Sequence, residues 1–437
     1  MATLPGGREE KMEGETRKTV LHAWHAAHGA NMAIFASYDM PLWYPAGARA
    51  EHLAVLSRAG LFDTSHMAVI TVSGRSARSL LQRCFSKDLD ACLGPGRAPI
   101  AAGRCVYGVF LDIRGHVIDD AIVYQVTEDL YMVVVNAGMG GTIAAHLAAN
   151  RQGEDPAITD LTDKVGKMDI QGPASARILR GLLQDPEAVL PGMGYFSFKG
   201  WFDGKEAGIA PVTLLDGTSV LVSRTGYTGE FGFELYMDIA RMVPVWETLL
   251  EAGRAFDLIP CGLAARDSLR AGAGLPLSHQ DIGHWPFVHN PWLFALAWDK
   301  DGKGFSKDFI GAEALLQCRE HRYTLPFAGF DPRKINACED SWVTDMQGIR
   351  IGSILTCTTD MAIGRAEGDI ISIATAEAAG KKDFAPRGLS CGFVRVEMSL
   401  AAGETIILTD GKRRITVEIR EEIRPGRTAR RAMARML

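Results

Sequence analysis

The chain has 437 residues, of which 47% are hydrophobic and 23% charged, with a formal net charge of −5. This length exceeds one ordinary core, so we expect two or three packed units of a globular protein. A slightly acidic balance argues against a nucleic-acid binder, which usually carries a basic face. The eight cysteines lie far apart without a C-x-x-C pair, which argues against a zinc ribbon or disulfide scaffold and indicates reduced thiols.

The N-terminal segment gives no sign of export. MATLPGGREEKMEGETRKTV is polar and mixed in charge, without the apolar core of a secretory signal, and its acidic residues are atypical of a mitochondrial transit peptide. No apolar run approaches the length needed to cross a bilayer. We therefore expect a soluble, cytoplasmic protein with neither a membrane nor a nucleic-acid partner.

Hydrophobic periodicity predicts the following elements. Residues 1–18 are expected to be a flexible lead-in, followed by a helical pattern over 19–29 that ends at a glycine C-cap. Further predicted elements are a helix at 51–60, short strands at 68–72, 107–111, 121–125 and 130–135, and amphipathic helices at 174–183 and 240–256. Because strands and helices alternate irregularly, the pattern indicates an α+β fold rather than a doubly wound parallel sheet.

The C-terminal part has a different pattern. After about residue 325, short β runs are broken by turn signals such as Asp410-Gly411. This pattern is typical of a small β-barrel or sandwich, and we place it at residues 321–423. Residues 424–437 are basic and predict a solvated tail, with a contact to an acidic partner as the alternative.

Two motifs carry little weight. His22, His25 and His28 recur at a spacing of three that rotates each ring away from the last, and no carboxylate or cysteine completes a metal site. The GMGG segment at 138–141 lies between a strand and a helix, as in a dinucleotide loop, but Ile143 occupies the position of the third glycine. We therefore predict no metal and no dinucleotide cofactor.

Two adjacent acids, Asp119 and Asp120, directly precede the strand at 121–125. Neighbouring side chains on an extended chain point to opposite faces, so one of the two must face inward, where an unpaired carboxylate is costly. The alternative is an aspartate at a turn that hydrogen-bonds its own backbone. Spacing alone favours neither interpretation and does not say which acid faces inward.

A glycine-rich segment, GYTGEFGFE, spans residues 226–234. Its glycines allow close backbone approach, and Glu234 opens an apolar strand, where its carboxylate could lie at the rim of a pocket. One carboxylate can accept hydrogen bonds from both the amino group and the ring N–H of a pterin-like ring. The alternative is a hairpin with solvated acids.

A third motif, CGLAARDSLR at 261–270, begins a helix. Arg266 and Arg270 share a face of this helix by their spacing of four. They could meet the carboxylates of a ligand, or form surface pairs with Asp267 and Glu251.

In their order along the chain, these segments resemble the glycine cleavage T-protein (aminomethyltransferase) family. The resemblance covers about residues 20–420. Its most specific motifs are LFD-x-SHM at 61–67, GYTGE-x-G-x-E at 226–234 and GLAARDSLR at 262–270. It implies a multidomain α+β fold around a central folate-binding cavity, with two interleaved subdomains over 19–320 and a C-terminal β-barrel domain.

The resemblance also implies the site residues. Asp120, the second acid of the I-D-D segment, corresponds to the family's catalytic aspartate, and Glu234 corresponds to the glutamate that binds the pterin. The other residues that the resemblance assigns to tetrahydrofolate are Arg266, Tyr107, Val135, Asn136 and, through a looser match, Arg333.

The implied reaction moves an aminomethyl group from a lipoylated carrier protein of the H-protein type to tetrahydrofolate, a co-substrate, and releases ammonia. A carboxylate beside the folate nitrogens can orient the amine and stabilise the developing iminium charge.

Three departures from the family bear on the donor. His116 replaces a glycine before I-D-D, residues 269–274 lack a glutamate, and residues 290–296 lack an acid while the surrounding stretch is rich in tryptophan. Such changes favour, as the alternative function, a tetrahydrofolate-dependent demethylase or methyltransferase that uses a small N-, O- or S-methyl donor. A non-catalytic folate-binding scaffold is disfavoured, because Tyr227-Thr228 stands where such relatives carry a cysteine.

Overall fold

The structure, a computed structural model, describes residues 16–153, 155–204 and 208–437. The predicted flexible lead-in at 1–18 lies outside the described residues up to residue 15. Arg17–Lys18 form a short strand, which pairs in parallel with residues 38–39.

The elements fall into three successive parts of the chain. The first part contains β1 (Arg17–Lys18), α1 (His22–Ala27), β2 (Asn31–Phe35), β3 (Tyr38–Trp43), α2 (Ala48–Ser57), β4 (Gly60–Asp63), β5 (Ala68–Ser73), α3 (Ala77–Cys84), β6 (Arg104–Leu111), β7 (Val117–Gln125), β8 (Leu130–Val135), α4 (Gly140–Ala149) and β9 (Ala157–Asp160). The second contains β10 (Val165–Gln171), α5 (Ser175–Arg180), α6 (Pro186–Val189), β11 (Phe198–Lys199), β12 (Leu221–Ser223), β13 (Gly232–Asp238), α7 (Met242–Gly253), β14 (Ile259–Pro260), α8 (Leu263–Gly272) and α9 (Ala312–Leu316). The third contains β15 (Tyr323–Gly329), β16 (Trp342–Thr344), β17 (Arg350–Asp360), β18 (Ile363–Ala366), β19 (Asp369–Ser372), β20 (Leu389–Val396), β21 (Thr405–Thr409) and β22 (Arg414–Ile419).

Two larger sheets form the first two parts. One has the strand order β6-β7-β8-β5-β9, and the other has the order β11-β12-β13-β10-β4-β14. Strand β4 precedes β5 in the chain but lies in the second sheet, so the two sheets are interleaved in sequence. The described residues therefore have the predicted α+β architecture.

Strand β8 shows why this sequence forms a central strand. All its residues, LYMVVV, are buried, because the sheet is covered on both faces. Val133 and Val135 pack into a core with Ile70 on one face, while Met132 and Val134 pack with Tyr124 on the other. This alternation with a period of two determines which side chains of β8 reach the site described below.

The C-terminal part forms the predicted barrel. Its closed strand order is β15-β20-β17-β16-β21-β22, and its interior is filled by aliphatic and aromatic side chains such as Phe327, Val394 and Val417. The β-hairpin β18–β19 lies outside this closed sheet. The prediction of a small C-terminal barrel is thereby confirmed.

The predicted solvated tail is instead packed against the rest of the protein. Arg424 is buried, with Nη1 2.6 Å from Asp360 Oδ2 and Nη2 3.3 Å from Glu230 Oε1. Thr428 donates a hydrogen bond of 2.6 Å to Glu230, and Met433 joins the core around β10 and β13. The expectation of a solvated tail was wrong, because its buried residues meet acidic and apolar partners far away in sequence.

The histidines of α1 have structural partners. His25 is fully buried, and its Nε2 lies 2.9 Å from Asp63, which also accepts a hydrogen bond from Thr19. His22 lies 2.8 Å from Asp39 on β3. Among the residues that the structure describes, no group of three or more His, Cys, Asp or Glu side chains could hold a metal ion.

Within the described part of the chain, no helix is long and apolar enough to span a membrane.

Replacement of Arg424 tests the packing of the C-terminal segment. We expect Arg424→Ala to lower the free energy of unfolding by about 3–5 kcal/mol, because it leaves the buried Asp360 and Glu230 carboxylates without their cation. Denaturation in urea, followed by tryptophan fluorescence, measures this loss. The exposed Arg435 in the same segment is the control, and Arg435→Ala should stay within about 0.5 kcal/mol of the wild type. Equal effects of the two substitutions would contradict the assignment.

Candidate active site

A cavity of about 2440 Å3 is lined by strands of both larger sheets, by α8 and by the segment 421–430. The predicted residues Tyr107, Asp120, Asn136, Glu234 and Arg266 all lie on its wall. Residues distant in sequence are therefore brought together around one space.

Asp120 projects from β7 into this cavity. Tyr107 Oη donates a hydrogen bond of 2.8 Å to its Oδ2, and Asn136 Nδ2 donates one of 2.6 Å to its Oδ1. Strands β6 and β7 are antiparallel with Val109 opposite Asp120, so Tyr107 lies two residues along on the same face. The strand register thus places the phenol beside the carboxylate.

Asp119 is fully buried beside Asp120. Its carboxylate accepts hydrogen bonds from the Asn136 backbone N–H (2.9 Å), from Asn136 Nδ2 (2.7 Å) and from the Ser278 hydroxyl (2.8 Å). Of the two acids it is Asp120 that lines the cavity, which sequence spacing alone left open.

Burial and the neighbouring Asp119 carboxylate raise the pKa of Asp120 to about 6, while the hydrogen bonds from Tyr107 and Asn136 act in the opposite direction. Asp120 can therefore gain or lose its proton close to neutral pH.

A second charged cluster lies where β10 and β13 pair. Asp169 stands opposite Glu234 in the antiparallel register, and Lys167 Nζ lies 2.5 Å from Asp169 Oδ1 and 2.8 Å from Glu234 Oε1. Arg266 Nη1 lies 2.7 Å from the second oxygen of Asp169. The other Glu234 oxygen accepts a hydrogen bond of 2.5 Å from Thr225. Each carboxylate of the cluster is therefore neutralised or hydrogen-bonded.

Sequence reasoning missed Lys167 and Asp169. Their spacing of two in the strand KMD puts both side chains on one face, and a lysine and an aspartate sharing a face of a buried strand could have marked a paired site. Arg270 forms the expected pair with Asp267, but it is fully buried rather than at the surface, and it is also ion-paired with Asp281.

His66, from the SHM segment, adds a polar atom to the cavity wall. The residue is buried, and its Nδ1 has no hydrogen-bond partner within the described part of the chain. Burial lowers the pKa of His66 to about 4, so the ring is neutral at physiological pH. An orphaned buried polar atom on a cavity wall fits a ligand that brings its own hydrogen-bonding groups.

Two predicted residues lie elsewhere. Val135 faces the core between α3 and α4 and not the cavity, because β8 alternates and its neighbour Val134 takes the cavity position. Arg333 lies on the barrel surface with a side chain 69% exposed, where it pairs with Asp331 at 2.7 Å in the same turn. Neither prediction is supported by the geometry.

Two aromatic side chains of the tryptophan-rich stretch, Trp292 and Phe294, line the cavity. Phe294 is 59% exposed and lines the cavity, with its ring 6.0 Å from that of Tyr107. Trp292 also borders the cavity but is almost fully buried, and its Nε1 donates a hydrogen bond of 2.8 Å to the Gly274 carbonyl.

Comparisons with known proteins bear on the family and the fold. The family model described as GCVT N-terminal domain matches residues 21–286. An aminomethyltransferase of Streptomyces avermitilis is 38% identical over 302 residues, which cover 69% of this chain and 73% of that protein. An aminomethyltransferase of Rubrobacter xylanophilus is 33% identical over 356 residues, which cover 81% of this chain and 87% of that protein. The crystal structure of glycine cleavage system aminomethyltransferase T from Bartonella henselae superposes with a TM-score of 0.73 at 25% identity, covering 95% of this chain and 99% of that one.

Two interleaved sheets that line a charged cavity, followed by a C-terminal barrel, are the architecture of a multidomain aminomethyltransferase fold. With these matches, the chain belongs to the GCVT family of glycine cleavage T-proteins, and the resemblance inferred from its motifs is confirmed. As a member it is an enzyme that transfers one-carbon units with tetrahydrofolate.

The raised pKa of Asp120 has a consequence for stability. The folded-state pKa of about 6 exceeds the ordinary value of 3.8, so the contribution of Asp120 to stability falls as pH rises between these values. We expect Asp120→Asn to be more resistant to urea than the wild type at pH 7.5, with a smaller difference at pH 5. Asp119→Asn, which disturbs an acceptor of several hydrogen bonds, should lose stability instead. A less stable Asp120→Asn at pH 7.5 would refute the electrostatic account.

Proposed function

We propose that the chain transfers the one-carbon unit of an aminomethyl group, carried on a lipoylated carrier protein of the H-protein type, to tetrahydrofolate with release of ammonia. The observation that carries the proposal is the placement of Asp120, Tyr107, Asn136, Glu234 and Arg266 on the wall of one cavity. These are residues that the family resemblance assigns to catalysis and folate binding.

In this proposal Glu234 and the charges around it hold the pterin. A carboxylate that lines the cavity can accept hydrogen bonds from the amino group and ring N–H of a pterin. Lys167 and Thr225 fix the orientation of Glu234, and Arg266 is held by Asp169 and by the ring of Tyr227, 4.9 Å from its guanidinium carbon. The orphaned Nδ1 of His66 offers a further hydrogen bond to the same ligand.

Asp120 acts on the one-carbon unit. Tetrahydrofolate supplies the nitrogen that accepts this unit. As a carboxylate, Asp120 stabilises positive charge that develops on the amine, and its hydrogen bonds to Tyr107 and Asn136 keep it oriented for that task. Because the pKa of Asp120, about 6, is close to neutral pH, its carboxylate can also hold a proton during the transfer.

One observation favours the second candidate, a tetrahydrofolate-dependent demethylase acting on a small methyl donor. Phe294 and Tyr107 present aromatic rings to the cavity beside Asp120. An aromatic face next to a carboxylate suits a small cationic methylamine. The two candidates share the folate site and differ only in the donor.

The functional assay measures ammonia released from an aminomethyl-loaded lipoyl carrier protein in the presence of tetrahydrofolate. We expect turnover that requires both the carrier and the folate, with Asp120→Asn lowering kcat about 10²- to 10⁴-fold while folate affinity changes little. Unchanged turnover in this variant would remove Asp120 from the mechanism. Absence of ammonia while folate still binds would reject the carrier as donor, and N-, O- and S-methyl compounds would then be compared.

Folate binding tests the second cluster independently of turnover. We expect Glu234→Gln to weaken tetrahydrofolate binding about 10- to 100-fold, because one charge-assisted acceptor becomes a neutral amide. Isothermal titration calorimetry measures the change, and a thermal melt checks that the variant remains folded, as expected because Lys167 still has Asp169 as its partner. The exposed Glu251 supplies the matched control, Glu251→Gln, which should bind as the wild type does. Equal affinities for all three proteins would exclude Glu234 as the pterin contact.

A further inference from the structure

His279 lies beside the carboxylate pair in the loop that follows α8. Its Nε2 is 3.6 Å from Asp119 Oδ1, and its side chain, 39% exposed, lines the cavity. The imidazole therefore contacts a carboxylate that is fully buried and is at the same time open to the space where the reaction takes place.

The backbone at His279 is strained. Its φ of +63° lies in the left-handed region, which residues other than glycine adopt infrequently. Glycine would form the same turn without this cost. Strained residues of this kind cluster at functional sites and persist where the surrounding structure holds them.

Both neighbours of His279 are anchored. Ser278 donates its hydroxyl to Asp119, and Gln280 Nε2 donates to the Leu355 carbonyl at 2.8 Å. One residue further, Asp281 is fully buried, ion-paired with Arg270 of α8, and accepts a hydrogen bond of 2.7 Å from Thr356. The turn is therefore held by α8 and by the barrel strand β17, which together keep the ring against Asp119.

Several titratable groups face this point. Asp119 and Asp120 belong to β7, Tyr107 to β6 and Tyr227 to the glycine-rich segment, while the His284 ring lies 6.1 Å from that of His279 in the same loop. The His279 ring acts to lower the pKa of Asp120, against the effect of Asp119.

We propose that His279 is a positioning residue for the transfer reaction, which orients the Asp119–Asp120 pair and offsets its negative charge from the cavity side. The inference rests on the proposed function and deepens it. Asp120 touches the reacting groups, whereas His279 acts only through the Asp119–Asp120 pair. Its effect is to keep the Asp120 carboxylate oriented toward the positive charge that develops on the amine.

The test compares His279→Gly with the wild type across pH in the ammonia-release assay. Glycine fits the left-handed turn, so we expect an unchanged or higher melting temperature. Turnover should fall roughly tenfold near pH 6.5, the size of effect typical of coupling between contacting groups. The acid limb of the kcat/KM profile should move to higher pH, because Asp120 loses the neighbouring ring that acts to lower its pKa. Added imidazole should restore part of the activity.

His289 provides a matched control. It is also a histidine with a left-handed backbone, φ +50°, ten positions further along, but its ring packs 4.5 Å from that of Tyr323 and does not line the cavity. His289→Gly should keep the wild-type turnover and acid limb.

A second readout does not depend on turnover. In protein labelled with 13C at aspartate carboxyl groups, NMR follows the pKa of Asp120, assigned with Asp120→Asn. We expect this pKa to rise in His279→Gly and to stay unchanged in His289→Gly. An unaltered Asp120 pKa and acid limb in His279→Gly would overturn the inference. Wild-type protein that binds folate but releases no ammonia would reject the proposed function, and the NMR result would still decide the role of His279.

Discussion

Two adjacent carboxylates repel each other when both are withdrawn from water, and the cavity wall contains the contacts that hold Asp119 and Asp120 side by side. Asn136 is central, because its Nδ2 reaches both acids while its backbone N–H donates to Asp119. Asn136 directly follows β8, whose register pairs Ala121 with Val135 and so brings it to the start of the strand that carries the acids. The arrangement therefore depends on strand pairing, which a shift of one residue would destroy.

The two charged groups of the cavity wall differ in their electrostatics. Around Glu234, carboxylates alternate with Lys167 and Arg266, and these contacts hold the Glu234 carboxylate in one orientation. Around Asp120, the direct hydrogen bonds come from the neutral groups of Tyr107 and Asn136. In the proposed reaction, a carboxylate without a directly bonded cation can stabilise the positive charge that develops on the amine. Under that proposal, Glu234 serves to bind the ligand and Asp120 serves the transfer step.

The elements with strong local patterns were predictable, and the residues that depend on distant partners were not. Strands β5 to β8 and helix α7 follow from periodicity, and the motifs led to Asp120 and Glu234. The cavity residue of β8 was misplaced by a single position, because Val135 was predicted although the alternation of the strand puts Val134 on the cavity face. The prediction of Arg333 was wrong for a different reason. A short D-P-R match does not indicate which side of the barrel the arginine occupies.

The C-terminal segment 424–437 also could not be predicted from local sequence pattern. A run of arginines after the last strand has the local pattern of a solvated segment. Arg424 is buried only because Asp360 and Glu230, 64 and 194 positions earlier in the chain, converge on it. Local pattern cannot reveal such pairing, because both acids lie in segments whose own patterns indicate ordinary strand and loop residues.

The structure also separates departures from the family that looked alike in sequence. Helix α8 lacks a glutamate within residues 269–274, and a Cβ added at Gly272 would lie 1.8 Å from Asp360 Oδ2. Asp360, from β17, fills this space and contacts both Arg424 and His52, so an acid of the barrel lies where α8 has no room for a side chain. This departure therefore concerns the docking of the barrel and the tail on α8.

The change at 290–296 is different, because it leaves Phe294 in the cavity beside Tyr107. The second departure therefore places an exposed aromatic side chain on the surface that a donor would meet near Asp120.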